Sequence, residues 1–554
     1  VRRRTLSVTL AVLAVIATAV GCVRIPDSGP VTAADPTEVV EAAGVEFIAE
    51  PPAEGASPEA IILGFLFAGV SPEDDYAVAR EFMTPQAAAA WNPDAQVQVR
   101  SGQPQVSMTG ESTGEVAVTL SSRVNSRGLM NEAVEQTSIL NFSLEQVDGE
   151  WRLASLPDGV LVSSFHFERL YRAQPVQWFT LDGGYMVPDN RWFRISDASL
   201  DEQVIEALLA GPATWLESSV VSAAAPGATL QGSVSDRPGG GLSMTLDVAS
   251  PQSATWQELS RFALQVKNSL IGTGVGAVEV RVAGGTAVGL STEAEPADES
   301  VLWHEPLMFA DGVLRAAETD GEIVPDIGSQ LDDLGATAFT PIPGAETVQA
   351  GAVQSGGEIS WLSDGATTEI TAKASTTPSV DRHGAVWWID DGDSPGIHTW
   401  MDGVENTFLM DLGGQRASAM QVSPDGTRIA VATRTEGATT VHLFSVVRAA
   451  GEPTSVVLGP TITPTAGTAL DLEWTSLSSM ALLTTDAGVT QVSILGLDGS
   501  VTGLVSPADP IADIAASGTT NGVVALTGSG SIYSMSPGSV VRFAAVSEAE
   551  FLVS

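Results

Sequence analysis

The C-terminal half of this 554-residue chain repeats itself. Apolar strand patterns recur at Val386 (SVDRHGAVWWI), Ile429 (QVSPDGTRIAVAT), Met480 (LEWTSLSSMALLTT) and Val523 (IAASGTTNGVVALT), spaced 43, 51 and 43 residues apart. A period of roughly 40–50 residues built from strands alone is the size of one four-stranded propeller blade. Ser423-Pro424-Asp425-Gly426 puts proline and glycine where a tight reversal needs them, and short strands at 441–446 and 456–458 continue that repeat. Weaker copies near 307–317 and 351–362 bring the expected count to five or six blades over residues 301–554. A two-sheet sandwich is the alternative for so many short strands.

Ahead of the repeats the pattern changes twice. Residues 37–165 run helices first and strands second. Ser57-Pro58, Ser71-Pro72 and Thr84-Pro85 each set a hydroxyl at an N-cap and proline at the first helical position. There the hydroxyl satisfies an orphan N–H and proline needs no donor. Ile61, Ile62, Phe65 and Leu66 give the first helix an apolar face. Strands are expected at 115–121, 138–147 and 150–156, the last two joined by an Asp148-Gly149 hairpin turn. This order, ending in FSLEQVDGEWRLASL, is similar to the NTF2-like α+β fold.

Residues 166–300 form a second unit of ββαββαβ order. Strands at 176–181 and 185–195 flank Asp182-Gly183-Gly184, and Ser199 to Glu202 reads as a capping box. Leu200, Val204, Leu208 and Leu209 line the helix it opens, which Gly211-Pro212 stops. Strands near 230–234 and 242–248 precede a second capping box, Thr255 to Glu258, whose helix carries Leu259, Phe262, Ala263, Val266 and Leu270. A strand at 277–282 follows. FTLDGGYMVP, VIEALLAGP and LSMTLDVAS resemble a GerMN domain, an α/β module of bacterial envelope and spore-germination proteins.

The one cysteine, Cys22, bears on location. Arg2, Arg3 and Arg4 precede an apolar run at 6–20 that is interrupted by Ser7, Thr9 and Thr18. That run is shorter than the about 20 residues that span a bilayer, and it ends in small residues, as a signal peptide does. Ala19-Val20-Gly21-Cys22 resembles a bacterial lipobox, with Ala19 where leucine is commoner. The resemblance implies a diacylglyceryl group on the Cys22 sulfur; an ordinary cleaved signal with an incidental cysteine is the other reading. Residues 1–21 then form a lipoprotein signal peptide and 22–36 a tether, leaving an exported chain held by lipid at the outer face of the cytoplasmic membrane. With its thiol acylated, the chain has no disulfide framework.

Net charge is −42, and no basic run follows the signal. Such a surface repels phosphate backbones and anionic headgroups, which excludes nucleic-acid binding and leaves membrane contact to the lipid. At 44% apolar residues the remainder can build globular cores.

Few residues suggest chemistry. Gly272, Gly274 and Gly276 lie after a helix and before a strand, the reverse of a phosphate-binding order, and read as a helix end and turn. His166, His304, His383, His398 and His442 show no paired spacing for zinc, and no nucleophile elbow is present. Asp390-Asp391-Gly392-Asp393 lacks the rest of a calcium loop and reads as an acidic hairpin turn. Trp361, Trp387, Trp388, Trp400 and Trp474 would form a sugar platform if they faced one rim; on strands, large aromatics usually fill a core. No catalytic residue, metal ligand or cofactor site is assigned.

A lipobox-like start, the CVRIPDSGPV opening and this domain order together resemble the LpqB lipoprotein family of actinobacteria. The resemblance implies a non-enzymatic accessory protein that binds the extracellular sensor domain of the two-component kinase MtrB and affects envelope homeostasis and cell division. The rivals are an envelope hydrolase and a glycan- or peptidoglycan-binding protein, with the site in the propeller channel. The first needs acids or histidines converging there; the second needs exposed coplanar tryptophans.

Overall fold

A computed structural model describes residues 49–553, except 196–199, 238, 250–254, 291–295, 298–301, 304, 318–324, 346–347, 364, 373, 391–395, 411, 436–437, 463–466, 517, 519–521 and 544–548. The first module opens with α1 (Pro58–Ala68), α2 (Glu73–Glu81) and α3 (Pro85–Ala90). The Ser57 and Thr84 hydroxyls accept from Ala60 N and Ala87 N, as their spacing predicts. Ser71 does not cap α2. Pro72 stands at that cap, and Asp74, Asp75 and Tyr76 take left-handed φ angles of 47, 56 and 59°. Tertiary packing overrides the local signal here: Tyr76 is buried edge-on against Trp91 at 5.6 Å and its hydroxyl accepts from Arg194.

The helices are followed by β1 (Gln96–Arg100), β2 (Gln105–Met108), β3 (Thr113–Asn125), β4 (Met130–Val147), β5 (Glu150–Ser155) and β6 (Val160–Ser163). They form one sheet of order β5-β4-β3-β1-β6, with β2 also on β3 and β6 parallel to β1. Val116, Val118 and Leu120 alternate into the core. Asp148 and Gly149 take φ of 54 and 87°, the left-handed pair that a two-residue hairpin turn needs.

A short helix, α4 (Ser164–Leu170), leads to β7 (Tyr171–Thr180), β8 (Met186–Arg194), α5 (Leu200–Leu209), β9 (Val220–Val221), β10 (Thr229–Leu230), β11 (Ser235–Arg237), β12 (Gly241–Asp247), α6 (Trp256–Ser269) and β13 (Ala277–Val282). Two small sheets result. One is β8-β7-β9; in the other β12 pairs parallel to β13 and antiparallel to β10 and β11. The strand expected at 230–234 shrinks to β10. Ser199 lies outside the described residues, while the Thr255–Glu258 capping box is complete. Leu208 is fully buried in a core with Trp178, Val204, Ile205, Phe262 and Val280.

The remainder is a propeller. Five antiparallel four-stranded sheets follow one another at 338–372, 379–409, 416–462, 468–503 and 511–542, here called blades one to five. The closing blade is composite: Leu307–Ala310 pairs on one side with Val313–Ala316 and on the other with the C-terminal strand Phe551–Val553. That last strand sits between the innermost strands of blades five and one, so the six sheets of the described residues close into a ring. Val386, Ile429, Met480 and Val523 all fall on the second strand of their blades. The weak repeats at 351–362 and 307–317 belong to blade one and the closing blade. An unexpected α7 (Pro325–Leu334) packs Ile327 and Leu331 between those two blades. Among the described residues, no helix is long and apolar enough to cross a membrane.

Candidate functional site at the domain junctions

The β3–β4 turn docks the first module onto the second. Arg127 Nη2 donates to the carbonyls of Ala210, Gly211 and Pro212 at 3.3, 2.8 and 2.7 Å. Trp192 N donates to Gly128 O at 2.8 Å. Gly128 has φ +76°, and a Cβ there would lie 2.9 Å from Trp192 O, so only glycine fits.

The β7–β8 turn docks the second module onto the propeller. Asp182 Oδ1 accepts from Thr180 Oγ1 (2.6 Å) and Gly184 N (3.0 Å), which aims Oδ2 at Arg382 Nη2, 2.6 Å away. Arg382 Nε donates to Asp425 O at 2.9 Å. Partial burial opposes the Asp182 charge, but the bonds from Thr180, Gly184 and Arg382 outweigh it and hold the pKa down at about 2.

Behind this contact the arginines are buried and paired. Arg428 and Asp425 are both sealed from solvent and 3.1 Å apart. Asp425 also accepts from Ser423 Oγ and Thr427 N, while Arg428 lies over Trp474 and reaches Pro188 O of β8. Asp381 accepts from His383 N, Ala385 N, Trp387 Nε1 and Arg448 Nη2. Burial, then the neighbouring Arg448 and Arg382 charges, push the His383 pKa down. Ser219 Oγ donates to Ser445 Oγ, which in turn donates to Trp215 O. A cavity of about 250 Å³ lies within this contact. The turn read from Ser423-Pro424-Asp425-Gly426 is therefore also a buried polar joint.

A second polar feature sits on the innermost strands of blades four and five. Asp471 and Asp513 each follow a β-bulge, and both carboxyls accept from Ile514 N. Asp513 Oδ2 accepts from Leu552 N of the closing strand at 2.7 Å, and Asp471 Oδ2 accepts from Ile514 N at 3.4 Å. Burial, then the Asp471 charge, raises Asp513 to about 8; burial raises Asp471 also. Sequence analysis missed this pair, although ALDLEW and IADIAA place an aspartate at matching points of successive repeats.

The residues singled out from sequence are not brought to one place. Cys22, His304 and Asp391 to Asp393 lie outside the described residues. His166 is on α4, with its pKa lowered by burial and then by Arg100 and Arg169. His442 is on blade three, its pKa lowered by burial, and contacts Thr433 Oγ1 at 3.1 Å. His398 stacks on Trp388, 3.3 Å from Asp390 and 3.6 Å from Glu405. Among the described residues no group of three or more His, Cys, Asp or Glu could hold a metal ion. Trp387, Trp388 and Trp474 fill cores, and half-buried Trp361 and Trp400 face each other between blades one and two at 5.9 Å. Gly272 and Gly274 take positive φ in the turn after α6, as expected.

Three family models match in succession: the lipoprotein LpqB N-terminal domain over residues 51–168, the sporulation and spore germination domain Germane over 174–288, and the lipoprotein LpqB beta-propeller domain over 312–542. The chain belongs to the LpqB lipoprotein family. Relatives match at low identity over most of their length. The lipoprotein LpqB of Cutibacterium acnes is 26% identical over 87% of this chain and 87% of its own length. That of Bifidobacterium longum is 27% identical over 80% and 79%, and that of Streptomyces avermitilis 25% over 88% and 88%. Among solved structures, TolB from Acinetobacter baumannii aligns with 52% of this chain and 84% of its own at 14% identity and TM-score 0.32.

Proposed function

We propose that this chain is a membrane-anchored accessory protein, held by lipid on Cys22 at the outer face of the cytoplasmic membrane. It binds and modulates the extracellular sensor domain of an MtrB-type histidine kinase, and through it affects envelope homeostasis and cell division. The observation that carries this reading is the joining of the three modules through polar contacts such as Asp182–Arg382 and Arg127 with the 210–212 carbonyls. Joints of that kind suit a scaffold that presents fixed surfaces to a partner. A lipid tether raises the effective concentration for another protein of the same membrane, and a −42 charge steers a basic partner face.

Two experiments test it. Cys22→Ala should release the protein from membranes and abolish fatty-acid labelling, since two or three acyl chains anchor stably where one is marginal; undiminished labelling would overturn the anchor. Mixing the protein with the kinase's extracellular domain should give a measurable complex, and its absence would overturn the partner. A second reading, an envelope hydrolase, is favoured by the Asp471–Asp513 pair alone. It requires turnover of peptidoglycan fragments that Asp513→Asn abolishes.

A further inference from the structure

His383 lies where the second module meets the propeller. It follows Arg382 in the turn between the first two strands of blade two, and it is half-buried. Arg382 carries the contact outward: besides its bond to Asp182, its guanidinium lies 5.1 Å from the centre of the Tyr185 ring. On the other side is Arg448, from the third strand of blade three, which donates to Gly426 O and Gly451 O as well as to Asp381. A Cβ on Gly426 would lie 3.3 Å from the imidazole Cδ2, so the ring rests on the turn that Arg448 holds. The cavity of about 250 Å³ in this contact is lined by Asp182, Arg382, His383 and Arg448. Half-buried and bordering that cavity, the ring can exchange a proton with solvent while the turn stays folded.

We infer that His383 is an acid-operated release for this joint: when its imidazole takes up a proton, the second module loosens from the propeller. The inference concerns the chain alone; it goes beyond the kinase reading and does not rest on it. The charged groups that face the ring are Arg382 and Asp381 on its own turn, Arg448 on blade three and Asp182 on the β7–β8 turn. Both acids are already committed. Asp381 Oδ1 accepts from His383 N and Ala385 N, and its Oδ2 from Trp387 Nε1 and Arg448 Nη2. Asp182 holds Thr180, Gly184 and Arg382. A carboxylate has about four lone-pair sites, so neither acid can take an imidazolium without weakening a bond that makes the joint. A proton on His383 therefore sets a third positive charge beside two arginines in a partly desolvated place. Burial, then the Arg448 and Arg382 charges, hold its pKa below the ordinary value of 6.5. Such a histidine binds its proton more readily once the joint opens, so its contribution is full above 6.5 and is drawn down as pH falls below it. Asp182 titrates far beneath this window, at about 2, and the Asp471–Asp513 pair acts on the closing strand with the opposite sign.

The test is amide exchange across residues 180–185, followed by mass spectrometry on the acylated full chain in lipid nanodiscs and corrected for intrinsic rates. Between about pH 7.5 and about pH 5 the corrected exchange of wild type should quicken by about threefold or more, while the strands of blade two keep their protection. His383→Gln keeps a polar side chain that stays neutral, and should hold exchange near its value at the upper pH throughout. His383→Asn is a second neutral variant with the same expectation, should the longer amide disturb blade two. A flat wild-type profile would overturn the inference without any variant. So would a quickening that both neutral variants reproduce, because the proton would then sit elsewhere. A quickening spread equally over all the propeller strands would also overturn it, since the effect would be one of global stability and not of this joint.

Discussion

Asp182 and Asp513 each tie one element of this molecule to another, and their surroundings push them in opposite directions. Asp182, half exposed on the β7–β8 turn, faces an arginine, and its pKa is held at about 2. Asp513, on an innermost propeller strand, faces a second aspartate and is raised to about 8. The difference teaches how the two joints respond to pH. A carboxylate with a lowered pKa adds stability above the ordinary carboxylate range and loses it as pH falls through about 2. A carboxylate with a raised pKa adds stability that is full below the ordinary range and is drawn down as pH rises toward 8. Acid therefore loosens the contact between the second module and the propeller, while a rise in pH from about 4 to 8 loosens the strand that closes the ring.

The largest test of that contrast is at the buried unlike-charge pair behind the junction. Arg428→Ala leaves Asp425 buried and alone, and should cost about 3–5 kcal/mol in urea denaturation. A cost below about 1 kcal/mol would show that the pair does not hold the joint. Next, Leu208→Ala opens a purely apolar cavity in the second module and should cost about 2–5 kcal/mol, equally at every pH. A pH-dependent loss there would mean that the two kinds of joint are not separable. Asp513→Asn should flatten the decline of melting temperature between about pH 4 and 8, with on the order of 1 kcal/mol gained at the upper end. Faster amide exchange at Leu552 in wild type at the alkaline end, absent in the variant, would place the effect on the closing strand. The smallest effect belongs to Asp182→Asn, about 1 kcal/mol or less because the pair is partly solvated. Its signature is faster exchange across residues 180–185 with no change in the propeller.

Much of this architecture was legible. The four second-strand repeats, the Ser57 and Thr84 caps, the Asp148-Gly149 turn and the buried phase of Leu208 follow from spacing and local chemistry alone. The failures have physical causes. Ser71 loses its cap because Tyr76 is drawn into the core against Trp91. β1, β2 and β6 are too short to carry a pattern, and β6 pairs in parallel with a strand sixty residues earlier. The joints were the least legible part. Asp182 looked like a turn residue, and it is one; nothing near it in sequence says that Arg382 will meet it. Asp471 and Asp513 were visible as a repeat, but their pairing depends on two bulges placed side by side by the ring.

The most direct test of the central claim is the salt dependence of association between the acylated chain in nanodiscs and the kinase's extracellular domain. Rates should be followed at about 0.05 and 0.3 M salt, where the screening length falls well below the size of the interface. Contact between a strongly acidic surface and a basic one predicts an association rate that drops steeply with salt and a dissociation rate that changes little. No association at either salt, together with turnover of an envelope substrate that Asp513→Asn abolishes, would contradict the account and move the function to the propeller channel.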